Sequence, residues 1–485
     1  MKNKEVVIIG GGPAGLTAAL ELSRQRVSAT VLEADKQVGG IARTVNYKGY
    51  LFDIGGHRFF TKWDEVSQIW NEVLGGKFIE RPRLSRIYYK KQFFMYPLVA
   101  KNALFGLGIF ESIRILASYI KARLMPTPKE ENLEEWVSNR FGRRLYEIFF
   151  KTYTEKVWGV PCTTIRAEWA AQRIKGLSLI TAIRNALLPN KKSDVKTLID
   201  KFQYPERGPG QMWETLTDQL KLRGYPVLMQ RPVVHVCHDA GEVTHLVTEG
   251  PNGVEKFWGT DFISSMPIRE LVLALDPAPP QEIVDAAHKL RYRDFLIISL
   301  IVNRKDVAPD NWIYVHEPGV KVGRIQNFKN WSPAMVPDQS KTCLGMEYFV
   351  FENDELWSSA DDKLLELARR EIVELGLVRS EEIEDGTVVR MQKAYPMYDE
   401  EWSVHVDRIR EYLSQNMRNL QLVGRNGMHK YNNQDHSMIT ALYAARNVCG
   451  AHYDLWAVNT EPDYHEEKRI KPEVPQPQYA RPARS

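Results

Sequence analysis

Two glycine-rich loops with a carboxylate between them, all inside the first sixty residues, restrict this chain more than any other feature in it. The run Val6–Ile9 is apolar and reads as a buried parallel strand. Gly10, Gly12 and Gly15 follow as G-x-G-x-x-G, with Pro13 and Ala14 inside the loop, and a helical stretch covers Leu16 to Arg24. A second strand ends at Glu33, next to Ala34, near the offset of about 20 residues at which a carboxylate meets an adenosine ribose. In that frame Gly10 permits a tight turn, Gly12 lets backbone approach a pyrophosphate, and Gly15 lets helix and strand pack closely. The helix N-terminus adds free N–H groups and partial positive charge for the phosphates. A lone G-x-G-x-x-G marks only a turn. With strand, helix, second strand and terminal Glu in place, the pattern predicts a dinucleotide site.

The next stretch says which dinucleotide. Gly39-Gly40-Ile41-Ala42-Arg43-Thr44 and then Phe52-Asp53-Ile54-Gly55-Gly56-His57-Arg58-Phe59-Phe60 follow Glu33. E-x5-GG-x2-RT with a downstream FD-x-GGH resembles the FAD-binding entry of the amine oxidase, protoporphyrinogen oxidase and UDP-galactopyranose mutase superfamily. The resemblance implies a Rossmann-type, glutathione-reductase-like α/β FAD domain interleaved with a mixed α+β substrate domain. It lays Gly40 and Arg43 along the FAD pyrophosphate and brings Gly55, Gly56 and His57 close to the flavin ring. No second G-x-G-x-x-G with an acidic partner follows, since Gly208-Pro209-Gly210 lacks the frame. Electrons are therefore expected to pass to or from the substrate, a separate donor or oxygen.

At 485 residues and 44% hydrophobic content the chain can bury a large core. A net charge of +4 gives no warrant for a nucleic-acid partner, though it suits a locally basic pocket for an anionic substrate. Cys162, Cys237, Cys343 and Cys449 stand singly, which fits a reducing cytoplasm and neither a disulfide framework nor a zinc site. His235, Cys237 and His238 suggest a metal, but strand alternation puts His238 on the opposite face, so none is expected. The chain enters a strand at once, the pattern of a protein without a leader. Tyr96 to Leu124 is interrupted by Lys101, Glu111, Arg114, Lys121 and Arg123 and is too broken to span a bilayer. An amphipathic helix covering a substrate cleft is expected there, with membrane-surface contact as the alternative.

The expected organisation has three FAD-binding parts, at 1–75, 216–270 and 401–460. A mainly helical substrate segment occupies 76–215, a substrate-domain sheet 271–400, and a disordered, proline-rich tail 461–485. By the same resemblance Val234 meets the adenine through its backbone. A short strand then leads to Gly424-Arg425 and to a helix expected to start near Ser437. Met438 and Ile439 are placed at its N-terminus beneath the flavin, where the helix end would stabilise negative charge on the reduced ring. Arg425 is expected to hold a cofactor phosphate.

Two blocks bring the resemblance closer to the mutases. Gly424, Arg425, Lys430, Tyr431, Asp435, Ile439, Ala441 and Leu442 match the mutase ending, and Tyr153-Thr154-Glu155-Lys156-Val157-Trp158-Gly159 is similar to the mutase YT-x-K-x-WG block. The resemblance makes His57, Trp158, Arg173 and Tyr431 catalytic candidates, and adds Arg293 and Tyr348 to Trp158, Arg173 and Tyr431 as substrate-binding residues. There are departures. Phe60 replaces a mutase histidine, Leu296 stands where a second arginine is expected, and Tyr395-Pro396-Met397-Tyr398 is closer to the protoporphyrinogen oxidases. Two chemistries stay open. One is a pyranose/furanose isomerisation of a sugar nucleotide in which N5 of the reduced flavin is the nucleophile. The other is hydride transfer from substrate to flavin, as in amine oxidases, porphyrinogen oxidases and desaturases, for which the aromatic segment Ile87 to Leu98 would suit an apolar substrate, though its Lys90 and Lys91 equally suit a phosphate.

Overall fold

The computed structural model describes residues 4–167 and 201–460, apart from positions 97, 99, 252 and 400. Arg173 and the 461–485 tail lie outside the described residues. The nucleotide-binding layer is a five-stranded parallel sheet in the order Leu420–Leu422, Asp261–Ser264, Glu5–Ile9, Ser28–Leu32, Val227–Leu228. Its central strand is apolar at four successive positions because both faces are covered. Val6 and Ile8 pack with helices Pro13–Arg24, Gly210–Leu222 and Gln434–Val448. Val7 and Ile9 pack with helices Ile268–Leu273, Gln281–Lys289 and Trp402–Asn416 on the other side.

The second layer is a seven-stranded sheet ordered Ile383–Pro396, Tyr292–Val302, Thr342–Val350, Arg324–Asn327, Trp312–Val315, Ser85–Tyr89, Gln92–Met95. All its pairings are antiparallel except Trp312–Val315 with Ser85–Tyr89. One face packs on helix Asp361–Glu374 through Leu296, Ile298, Met346 and Tyr348. The other packs through Phe295 and Ile297, with Trp331 of helix Phe328–Trp331, on Tyr50 and Phe52 of the hairpin Thr44–Tyr47/Tyr50–Asp53 and on Ile54 just after it. That second face carries the site.

One expectation changes here, at the terminal helix, and the 76–215 segment gains detail. Within 76–215, Ser85–Tyr89 and Gln92–Met95 form a hairpin on the edge of the large sheet. Lys90 and Lys91 make its turn with φ of 50° and 59°, so these cations sit at an exposed tip. Helix Leu133–Phe141 stops at Gly142, whose φ is 83°. The terminal helix starts at Gln434, three residues before Ser437, with Asn433 N–H donating to His436 Nδ1 at 3.3 Å.

Candidate active site

The cofactor cradle follows from close backbone approach. Gly10 has φ of 102° and donates its N–H to Leu32 O at 2.7 Å, turning the chain off the first strand. A Cβ on Gly15 would lie 1.8 Å from Gly10 O, so only glycine lets the helix start against the strand. Gly12 caps helix Pro13–Arg24 with no side-chain partner for its first N–H groups, leaving them for an anion. Opposite it, Gly40 comes so near that a Cβ built on Gly12 would lie 3.9 Å from Gly40 Cα, and Gly39 N–H ties the loops together by donating to Gly11 O at 2.8 Å. The two loops thus face one another across bare backbone, a cradle that fits a pyrophosphate.

Glu33, the carboxylate expected to meet the adenosine ribose, is buried, and its Oε2 accepts from Gly11 N–H at 2.6 Å, its Oε1 from Asp35 N–H at 2.8 Å. Burial raises its pKa, with those backbone bonds opposing. Arg43 donates to Gly40 O at 2.7 Å and to Asp35 Oδ2 at 2.6 Å, fixing the second loop. Burial alone would raise the Asp35 pKa; the Arg43 bond outweighs it and leaves it lowered. Strand pairing skips Val234 at a bulge between Val233 and His235. Gly424, with φ of 81°, brings its turn within contact of Ala14 and is held by Thr440 Oγ1 at 3.1 Å.

The side that the resemblance assigns to the flavin is more polar than the sequence suggested. Gly55 and Gly56 lie flat on strand Arg324–Asn327: a Cβ at Gly56 would be 3.2 Å from Gln326 Nε2 and 3.4 Å from Trp331, and one at Gly55 would be 3.8 Å from Arg324 Nη2. Beneath them a fully buried Glu347 accepts from Arg324 Nε at 2.5 Å and from Gln326 Nε2 at 2.8 Å, while Trp331 Nε1 donates to Gln326 Oε1 at 2.9 Å. Burial raises the Glu347 carboxyl, and Arg324 and Gln326 oppose that; the Glu347 charge in turn overcomes the desolvation of Arg324 and keeps it cationic. Tyr153, Tyr314 and Tyr395 all lie within electrostatic reach of Arg324. His57 Nδ1 is buried with no hydrogen-bond partner. Desolvation, then the positive charges of Arg425 and Arg324, depress its pKa to about 3, so the imidazole is neutral.

Several predicted site residues take other positions. Arg425 is not free for a phosphate: it donates to Asn432 O at 2.8 Å and Ala394 O at 3.1 Å, with its guanidinium 4.9 Å from the Tyr431 ring and 5.5 Å from the Tyr395 ring. The two rings stack at 5.9 Å. Tyr431 thus does line this side, in a stack that raises the Tyr395 pKa to about 12 through burial and then the Tyr431 charge. Arg293 is spent on structure, donating to Val157 O, Lys156 O and Phe349 O at 3.1, 3.3 and 2.7 Å. It closes the end of helix Thr152–Trp158, where Gly159 leaves room for it. Trp158 leans on the helical core from that same end. Tyr348 points away from the site into the opposite face and bonds Glu371 at 3.0 Å, because strand parity gives the site face to its neighbour Glu347. Met438 and Ile439 are buried a turn inside their helix, with Met438 Sδ accepting from Trp70 Nε1, because the helix begins earlier than expected.

Arg324, Gln326, Glu347, Tyr153, Tyr314 and Tyr395 were not singled out as site residues. The signal was available for one: Glu347 is the only charge in the apolar strand TCLGMEYFV, and a buried carboxylate demands a cationic partner.

A two-loop dinucleotide cradle joined to a polar, neutral-histidine pocket defines an FAD-dependent flavoenzyme. The comparisons agree: residues 13–426 match the family described as flavin containing amine oxidoreductase, and the chain belongs to it. Reduced UDP-galactopyranose mutase superposes with a TM-score of 0.82 at 21% identity, covering 95% of this chain and 97% of that one. Putrescine oxidase bound to putrescine gives 0.60 at 15% identity, covering 92% and 99%. The inactive all-trans-retinol 13,14-reductase of Danio rerio is 49% identical over 53 residues, 11% of this chain and 9% of that protein. The matched curated relatives are covered over 2% to 54% of their own length.

Proposed function

We propose that this flavoenzyme acts on a sugar nucleotide and interconverts ring forms of the sugar in the manner of UDP-galactopyranose mutase. The observation that carries the reading is the buried Arg324–Glu347 pair on the flavin-proximal face, set among Tyr153, Tyr314, Tyr395 and Tyr431. Such a pocket suits a diphosphate and stacked sugar or base rings better than a polyene or porphyrin, which would leave the polar groups unmatched. A cationic amine fits less well, because the face of the Tyr395–Tyr431 pair is already occupied by the Arg425 guanidinium.

FAD supplies N5, a nucleophile when the ring is reduced and a hydride acceptor when it is oxidised. The facing loops at Gly12 and Gly40, with Glu33, would hold its pyrophosphate and ribose. The rest is done by this chain's own residues. Arg324 orients the diphosphate and stabilises it as a leaving group, and Glu347 keeps that guanidinium fixed. His57, neutral, offers Nδ1 to a sugar hydroxyl or to the cofactor without adding charge. Trp158 and Arg173 stay in the proposal through the motif alone.

The second reading, a hydride-transferring oxidoreductase, is favoured by membership of an amine oxidoreductase family. Chromatography separates the two. Anaerobically reduced enzyme incubated with uridine and thymidine diphosphate hexoses should yield the ring isomer, with Arg324→Lys lowering kcat/KM about 100-fold, roughly the 3 kcal/mol of one charged contact. No isomer from any sugar nucleotide, together with bleaching of the oxidised enzyme by an amine or polyene, would give the second reading the field.

A further inference from the structure

Helix Ile109–Leu124 turns its apolar residues outward. Phe110 is 83% exposed, Leu124 76%, Ile109 72% and Ile113 58%, and Leu116 and Ile120 are about half exposed. At 100° per residue these six fall on one continuous stripe along the helix. The opposite side is fixed: Ile115 and Tyr119 are buried against the helical layer, and Tyr119 backbone fits so tightly at Gly142 that a Cβ there would lie 2.7 Å away. The helix therefore does not cover the cleft with this face.

Charge on the same helix is sorted. Arg114 and Lys121 border the stripe on one side and Arg123 on the other, all exposed. The helix's one acid, Glu111, bonds Arg144 and lies 3.9 Å from Arg114, while Lys121 and Arg123 have no acid on the helix beside them. Beside the stripe an open cleft is lined by Arg114, Ser118, Arg143, Arg144 and Glu147, in which Glu147 partners Arg143 and Arg144. Among the described residues no helix is long and apolar enough to cross a membrane.

We propose that this face docks on an anionic lipid surface, the helix lying in the headgroup plane with its apolar stripe inserted and its basic borders on the lipid phosphates. An exposed apolar stripe bordered on both sides by cations is the pattern that interface selects. A second copy of this chain would bring the same cations against themselves.

The test is flotation of the full, FAD-loaded chain with vesicles of phosphatidylcholine, with and without phosphatidylglycerol. The expected result is binding to the anionic vesicles that weakens in high salt. It should fall about tenfold or more in Phe110→Ser/Ile113→Ser and roughly fivefold for each of Arg114→Gln, Lys121→Gln and Arg123→Gln. Flavin absorbance should not change in these variants and Tm should change little, because all five side chains are exposed on the outer side of the helix. Three results overturn the proposal: no flotation, equal flotation with neutral vesicles, or a dimer in light scattering that Phe110→Ser/Ile113→Ser dissociates.

Discussion

Gly12 and Gly15 sit three residues apart and forbid a side chain for different reasons. At Gly15 a methyl group would overlap Gly10 O at 1.8 Å, so Gly15→Ala should damage the fold itself. At Gly12 the nearest heavy atom is 3.9 Å away, so Gly12→Val should fold, as thermal melting of the apoprotein would show, yet copurify with at least tenfold less flavin. Asp53 makes a different prediction. It is buried, bonded by Thr44 and Tyr204, and burial raises its pKa to about 7. The folded carboxyl holds a proton that the unfolded one releases near ~3.9, so its stabilisation is full below that value and is lost as pH rises to about 7. Asp53→Asn should raise Tm at pH 8 and bring little gain near pH 4. Removing Glu347 to Ala strands Arg324 and should cost about 3–5 kcal/mol in denaturant unfolding, and Glu347→Gln clearly less.

Among the elements, those legible in the sequence were the ones whose signal is local. The first strand, loop and helix announce themselves through a glycine spacing that has one mechanical meaning. Parity and start points were harder. One step along Thr342–Val350 exchanges Tyr348 for Glu347 at the site, and nothing local says which face meets the flavin loop. The start of Gln434–Val448 depends on Asn433 and His436, three residues upstream of the expected one, and this carried Met438 and Ile439 inward. Arg425 and Arg293 read as anion ligands because an arginine's destination is tertiary; both are taken up by main-chain carbonyls. The Lys90-Lys91 turn was hidden because neither residue favours the positive φ it adopts. Replacing that pair with Asn-Gly should stabilise the protein by about 0.5–1 kcal/mol without changing activity, measured by chemical denaturation.

The whole molecule is built so that a charged, neutralised and aromatic layer meets a bare-backbone cradle across two sheets. Its acid response follows from the same burial. His316 and His429 are held neutral, with pKa values near 3 and 4, by desolvation. The unfolded chain regains an ordinary value of ~6.5 and takes up the protons the fold refuses, so this stabilisation is present above that pH and is lost as pH falls toward 4. With His57 included, three buried histidines pull against the raised carboxyls of Asp53, Glu33, Asp294, Glu347 and Asp399, so their share shows as a difference: Tm should change less steeply between pH 6.5 and 4 in His316→Gln than in the parent chain. Whether this site handles a sugar nucleotide, as proposed, can be read from the mass of the flavin it would hold. The anaerobically reduced enzyme is mixed with sugar nucleotides and cyanoborohydride, and the released flavin is weighed. The expected product is a flavin heavier by one reduced hexose, absent with Arg324→Ala. Unmodified flavin from enzyme shown to be loaded and reduced would contradict the proposal.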